Sequence, residues 1–380
     1  MALPIHVTNN DPSIYNVGWS YLPQQFSDIE EVLNEFRKFV PTGDFTLGKP
    51  LEEFEGRFAK MIGSKHAIGV NSGTDAIKLS LLAIGVGHGD EVITTANTFI
   101  ATVGAINEVG ATPVLIDCTD NFCMDVSKIE AAITPKTKAL LPVHLTGQMT
   151  DMPAILEIAK KHNLPVLEDS CQCILGNIRG KNSGTFGVTG SFSLHPLKNL
   201  NVWGDGGIIV TDDDAIADKL KKLRNHGLQN RDEIVLLGCN SRLDTLQAIV
   251  GNWLIDQVND ITQKRIRFAK MLDEGLRSIP GITIPTRYDD RQLVYHLYIV
   301  FAEDRDALFH YCTERGIEVK VHYPIPLYVQ EGLKHLGYKP GYFPVTDRHA
   351  ETMISFPAHQ HLVDEQIEYT IQTVKEFYAK

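Results

Sequence analysis

No apolar run in this chain approaches the roughly 20 residues that a membrane-spanning helix needs. Positive charge is also short: 36 lysines and arginines stand against 47 aspartates and glutamates, a formal net charge of −11. Nucleic-acid binding needs a basic footprint, and an anionic membrane surface attracts basic segments, so neither partner is expected. Cysteine is sparse, six in 380 residues, at 118, 123, 171, 173, 239 and 312. Scattered in a chain of this length, they read as reduced thiols and not as a disulfide framework. Cys171-Gln172-Cys173 has one residue between its thiols and no second pair to complete it. A structural zinc site takes about four ligands, with wider spacing within each pair, so no metal is expected. Internal repeats and low-complexity linkers are absent. The opening MALPIHVTNNDP lacks the basic and apolar regions of a signal peptide, and a cytoplasmic location is expected.

What is present is an ordinary globular composition, 43% hydrophobic and 22% charged. From Ser64 to Thr211 short apolar runs alternate with amphipathic stretches. Strands are expected at His66–Val70, Glu91–Thr95, Pro113–Asp117, Ala139–His144, Pro165–Asp169, Ser191–Leu194 and Gly207–Thr211. Helices are expected at Thr74–Ile84, Thr98–Val109 and Met152–His162. Such alternation predicts an α/β domain with a mostly parallel sheet, here of seven strands, covered by helices on both faces. Ligands bind such sheets beyond the carboxyl ends of the strands. After Thr211 come a helix (Asp214–Leu223), a polar stretch (Asn225–Asn240) and a long periodic stretch from Leu243 to Ile279. The last bridges to a smaller α+β domain with a strand at Leu293–Phe301 and helices at Arg305–Arg315 and from Val363 onward. The expected division is a large domain over 1–255 and a small one over 256–380.

Four positions carry chemistry. In SFSLHPLKNLNVWGDGG, Lys198 follows a strand and Pro196 and precedes a glycine cluster, a setting that restrains an amine. In LPVLEDSCQC, Asp169 closes a strand, where a carboxylate is a helix cap, a metal ligand or the partner of a bound cation, and Gln172 adds a neutral polar group. In NSGTDAIKL, Gly73 and Thr74 open a helix whose free amides suit a phosphate, although a plain Ser/Thr cap reads the same way. No Walker pattern follows. In TTANTFIAT, Phe99 offers a flat ring or an ordinary core side chain. Together, amine, carboxylate, phosphate cradle and aromatic face are the parts that hold pyridoxal phosphate.

These motifs carry a resemblance over nearly the whole chain. TGDFTLGKPLEEFE, NSGTDAIKLSL, GDEVITTANTFIAT, PVHLTGQMTDM, LEDSCQC, SFSLHPLKNL, HYPIPLYVQ and LGYKPGYFPV are similar, in this order, to the DegT/DnrJ/EryC1/StrS sugar aminotransferases of fold type I. The resemblance implies Lys198 as the Schiff-base lysine, Asp169 as partner of the pyridine nitrogen, Gln172 at the phenolic oxygen and Phe99 stacked on the ring. Gly73, Thr74 and Ser193 would hold the phosphate, completed by Asn240 and Arg242 across a homodimer with shared active sites. His322, Tyr323 and Tyr328 would meet the substrate. The implied reaction moves an amino group from an amino acid, by resemblance glutamate, to a keto or aldehydo sugar. That acceptor is nucleotide-linked or a free keto-sugar acid such as a 3-deoxyoctulosonate derivative, and the product is an amino sugar for a lipopolysaccharide-like glycan or a small metabolite. Where the family often has Ala-His after Gln172, this chain has Cys173-Ile174; Tyr328 stands in place of a histidine, and Val188 in place of an aspartate. Two rivals are a sugar dehydratase, in which histidine replaces the lysine, and a non-catalytic regulatory protein of the same fold. The filled Lys198 position argues against both.

Overall fold

The structure, a computed structural model, describes residues 15–379, so the stretch read above for a leader lies outside the described residues. Seven strands form as expected in number: β1 (His66–Val70), β2 (Glu91–Thr95), β3 (Thr112–Ile116), β4 (Thr137–Leu140), β5 (Leu167–Asp169), β6 (Thr189–Ser193) and β7 (Gly207–Thr211). Six lie close to their expected places, and β4 ends at Leu140 where it was expected to run on to His144. β6 and β7 are buried at every residue, as strands are when a sheet is covered on both faces. Pairing gives β1-β7-β6-β5 and β3-β2-β4. Parallel bridges from Leu140 to Val166 and from Val143 to Asp169 join the two sets into one sheet. β7 alone runs antiparallel, to both β1 and β6.

Helix α1 (Leu22–Gln25) lies in the amino-terminal segment, and α2 (Gly73–Ala83) and α3 (Ile100–Glu108) follow β1 and β2. α2 buries two sides. Its Ala76, Leu79 and Ala83 meet Ile68, Val70 and Ile209 of the sheet, while Ile77 and Leu81 meet Ala105 and Ile106 of α3. A helix packed on two sides is fixed in rotation as well as position, which matters because its first residues line the site.

The periodic stretch from Leu243 to Ile279 is not one helix. Thr245–Leu254 and α4 (Val258–Leu276) are separated by a single 3₁₀ turn, Ile255–Gln257. Val258 and Ile261 pack in the core of the sheet, whereas Phe268, Leu272 and Leu276 pack with Tyr298, Val300, Phe356 and Ile367 of the carboxyl-terminal region. There, β8 (Ile282–Thr283), β9 (Tyr298–Ala302) and β10 (Met353–Phe356) form an antiparallel sheet against α4 and α5 (Asp364–Tyr378). Val17 joins that core and pairs in parallel with Ile317, so the amino-terminal segment is fastened to the far end of the chain.

The strand expected at Leu293–Phe301 begins only at Tyr298. Before it, Tyr295 takes a left-handed φ of 46°, and the chain passes tightly over the Thr146–Gly147 turn. A Cβ on Gly147 would stand 2.8 Å from the Tyr295 amide and 3.0 Å from that of His296. This crossing brings His296 and Leu297 to the sheet's carboxyl edge.

Candidate active site

At that edge lies a cavity of about 360 Å³. Gly73, Thr74, Phe99, Asp169, Gln172, Ser193, Lys198, His322 and Tyr323 all line it, brought together from five separate stretches of sequence.

Asp169 closes β5, where the pleat sends neighbouring side chains to opposite faces. It is 5% exposed. One carboxylate oxygen accepts from Thr102 Oγ1 at 2.8 Å and the other from the Cys171 amide at 3.1 Å. Thr102 in turn pairs with Thr98 at 2.8 Å. Asp169 therefore caps its own turn and still lines the cavity.

Lys198 sits on the turn after β6. Its amide donates to the His195 carbonyl at 2.8 Å and its own carbonyl accepts from Asn201 Nδ2 at 2.9 Å. Burial lowers its pKa below the usual lysine value, partly opposed by the charges of Cys171 and Asp169. The cavity therefore favours a neutral amine more than water does.

Ser72 caps α2 by accepting from the Asp75 amide at 3.1 Å. The cap is thus Ser72, and Thr74 is freed from that duty. The earliest amides of a helix have no partner within it, and the positive end of the helix dipole favours an anion there. Gly73 has to lack a side chain: a Cβ would lie 2.8 Å from Ser193 Cβ and 3.0 Å from Cys171 Sγ. Gly73, Thr74 and Ser193 thus make a cradle that any larger residue at 73 would fill.

Phe99 is 54% exposed. As the residue before α3 it takes an extended φ of −73° and ψ of 145°, which is why the helix starts two residues later than its sequence pattern suggested. Gln172 is locked at both ends, Oε1 accepting from the Thr146 amide at 2.7 Å and Nε2 donating to Tyr323 Oη at 3.2 Å. Burial pushes the Tyr323 hydroxyl up to about 12 and His322 down to about 4.

Three expected residues lie elsewhere. Tyr328 is 1% exposed within an apolar cluster with Leu333 and Phe343, and donates to Asp347 at 2.6 Å. Its bulk and its need for a buried acceptor draw it into the core, so the expectation that it meets substrate is corrected. Asn240 is exposed, and Arg242 donates to Asn225 Oδ1 at 3.1 Å; neither lines the cavity of its own chain. Conversely, Thr98, Thr102, Cys171, His195 and His296 line the cavity without having been singled out for it. The Thr98-x₃-Thr102 spacing was no sure signal, because Thr98 precedes α3 and it is the extended Phe99 that lets the two hydroxyls meet. His296 gave none, because only the crossing over Gly147 delivers it.

The cavity fits pyridoxal phosphate on its own features. A buried carboxylate faces a restrained lysine, a glycine leaves space at a helix start for the phosphate, and an exposed ring stands at the rim.

The model of the DegT/DnrJ/EryC1/StrS aminotransferase family matches residues 27–375. A pleiotropic regulatory protein of Geobacillus stearothermophilus is 39% identical over 96% of this chain and 99% of its own. The dTDP-3-amino-3,4,6-trideoxy-α-D-glucose transaminase of Streptomyces venezuelae is 37% identical over 93% and 95%. The solved structure of S. venezuelae DesV superposes with a TM-score of 0.93 at 36% identity, covering 96% of this chain and 99% of that one. Other structures of the fold hold pyridoxamine phosphate or are in the pyridoxal phosphate form. With this cavity and these relatives, the chain belongs to the DegT/DnrJ/EryC1/StrS family, as a pyridoxal-phosphate-dependent sugar aminotransferase.

Proposed function

We propose that the protein transfers the amino group of L-glutamate to a nucleotide-linked keto sugar, with Lys198 as the acid–base amine. The observation that carries the roles is Lys198, its pKa lowered by burial, on the same cavity as the buried carboxylate of Asp169. Bound pyridoxal phosphate supplies an electron sink for the bond broken at the donor's α-carbon. Asp169 would hold a positive charge at the ring nitrogen, Gly73, Thr74 and Ser193 would bind the phosphate, and Phe99 and Gln172 would contact the ring and its phenolic oxygen. Lys198, its charged form disfavoured by burial, takes the proton from the donor's α-carbon and returns it on the other side of the reaction. Glutamate as donor rests on the family resemblance.

The acceptor reading has two supports. The Streptomyces relative is named for a dTDP-linked sugar and a 39% identical relative from Acidithiobacillus ferrooxidans for a UDP-linked one. A second cavity of about 330 Å³, lined by Ile100, Ile325 and Leu327, shares Thr98, Phe99 and Tyr323 with the first and gives a sugar nucleotide room beyond the reacting carbon. We further propose a homodimer in which the partner's Asn240 and Arg242 complete the phosphate site. Arginine suits this task because its planar fork meets phosphate oxygens with two hydrogen bonds. The stretch before these residues exposes Ile234, Val235 and Leu237, the last at 94%, an apolar surface suited to a second chain.

Purified protein should be yellow, lose that colour with glutamate, and regain it with a dTDP- or UDP-linked keto sugar while the aminated sugar appears by mass spectrometry. Recovery only with a free eight-carbon keto-sugar acid would refute the nucleotide-linked acceptor. No bleaching by glutamate, against bleaching by another amino acid, would refute the donor.

A further inference from the structure

Four buried side chains from distant parts of the chain connect Lys198 to the carboxyl-terminal region. Arg265 Nε on α4 donates to Gln360 Oε1 at 3.0 Å. Gln360 Nε2 donates to Gln25 Oε1 on α1 at 2.8 Å. Gln25 Nε2 donates to Asn201 Oδ1 at 3.0 Å, and Asn201 Nδ2 donates to the Lys198 carbonyl at 2.9 Å. None of the four exceeds 9% exposure. Arg265 also donates through Nη1 to the carbonyls of Tyr295, at 3.2 Å, and His296, at 3.4 Å. His296 lines the same cavity as Lys198.

The direction of this chain is fixed by chemistry. A guanidinium only donates and a carbonyl only accepts, so each amide between them has to accept on one side and donate on the other. One arrangement satisfies every link, and successive hydrogen bonds of the same sense polarise one another. Tyr21, from the same amino-terminal segment, reinforces the far end: its hydroxyl lies 3.4 Å from the Leu197 carbonyl and 3.5 Å from that of Lys198.

We infer that Gln25, Asn201 and Gln360 are positioning residues that hold the Lys198 turn in register with His296, making the amino-terminal segment part of the active-site machinery. Satisfying buried polar groups is reason enough for such bonds to form. It does not explain why the chain ends on the backbone of the reactive lysine at one side and of a cavity histidine at the other.

The test reads Lys198 itself. In full-length protein freed of cofactor, the pH dependence of its modification by trinitrobenzenesulfonate is followed by peptide mapping. The groups that act on its charge are Asp169, Cys171, His195, His296 and His322, and none is altered by the substitutions used. Gln25→Met and Gln360→Met remove links without adding charge. Each should loosen the turn, admit water and move the Lys198 midpoint upward by about half a pH unit or more. A chain is broken by the loss of any link, so the double variant should shift no further than the larger single one. In the holoenzyme the same variants should lower kcat with little change in KM for glutamate. Melting temperatures that fall while the midpoint stays in place would reduce the network to structural support and overturn the inference, as would additive shifts. If Gln360→Met does not fold, Gln25→Met and Gln25→Leu decide the matter with the same midpoint. The inference rests on Lys198 being the reactive amine. Borohydride reduction of the wild-type holoenzyme that labels another lysine would refute that reading alone, whereas Lys198 labelled with an unmoved midpoint in the variants refutes only the relay.

Discussion

Glu168 and Asp169 are adjacent carboxylates on one strand, and the pleat sends them to opposite sides. Glu168 is fully buried and accepts from the amides of Gly184, Phe186 and Gly187 at 2.7–2.9 Å and from His144 at 3.0 Å. It is consumed by the fold. Asp169 has one protein donor on each oxygen and retains lone pairs toward the cavity. Asp169→Asn keeps the size and the acceptor for the Cys171 amide, and the Thr102 hydroxyl can turn to accept from the new amide nitrogen, but it cannot stabilise a cationic ring nitrogen. Turnover should fall by roughly a hundredfold or more, the scale of other lost catalytic electrostatics, with melting temperature nearly unchanged. Near-normal turnover would leave Asp169 a cap and nothing else.

At the scale of an element, the site depends on how α2 begins. Ser72 holds the Asp75 amide, which starts the helix, and Gly73 then passes Ser193 with no space for a methyl group. Gly73→Ala should favour the helix intrinsically while pressing Ser193 out of the cradle. Apoprotein titrated with pyridoxal phosphate should therefore bind about tenfold more weakly, or worse, equivalent to about 1.4 kcal/mol. Wild-type affinity in this variant would show that Ser193 yields without cost and that the cradle lies elsewhere.

Across the whole molecule, two buried histidines report on how the carboxyl-terminal region packs against the sheet domain and the amino-terminal segment. His349 meets Phe122, Phe301 and Asn97, and burial lowers its pKa to about 4. His359 meets the Gly18 carbonyl, and burial, aided by the nearby Arg265 charge, lowers its pKa to about 3. Both stay neutral in the folded protein at pH values where the unfolded chain takes up protons. Their stabilisation is complete above the unfolded value near 6.5 and is lost as pH falls from there toward 4 and 3. By pH 5 each should have cost about 2 kcal/mol, seen as a drop in melting temperature between pH 7 and pH 5. A flat profile over that range would contradict the burial of both rings. Assembly is tested by complementation, after confirming that Arg242→Ala alone is severely impaired. Mixed with Lys198→Ala chains, it should regain activity, because half the sites of a mixed dimer then carry neither lesion. Subunit exchange without recovery would place the whole phosphate site within one chain.

Much of this was legible in the sequence because it is local. Alternating apolar runs specify strands, Ser72-Gly73-Thr74 specifies a helix start, and a lysine between Pro196 and a glycine cluster marks a restrained turn. The seven strands arise on that basis, and nine of the residues that the family resemblance implied line one cavity. Tertiary structure decided what depends on contacts between distant residues. The core withdrew Tyr328, because burying its ring and pairing its hydroxyl with Asp347 outweighs exposure. The tight passage of residues 295–296 over Gly147 delivered His296, which no local pattern announces. Gln25, Asn201, Gln360 and Arg265 are four unremarkable polar residues along the chain, and only folding makes them one hydrogen-bonded line. Periodicity records which face of an element avoids water; it does not record which buried amides must find each other, since that depends on where the other elements come to rest.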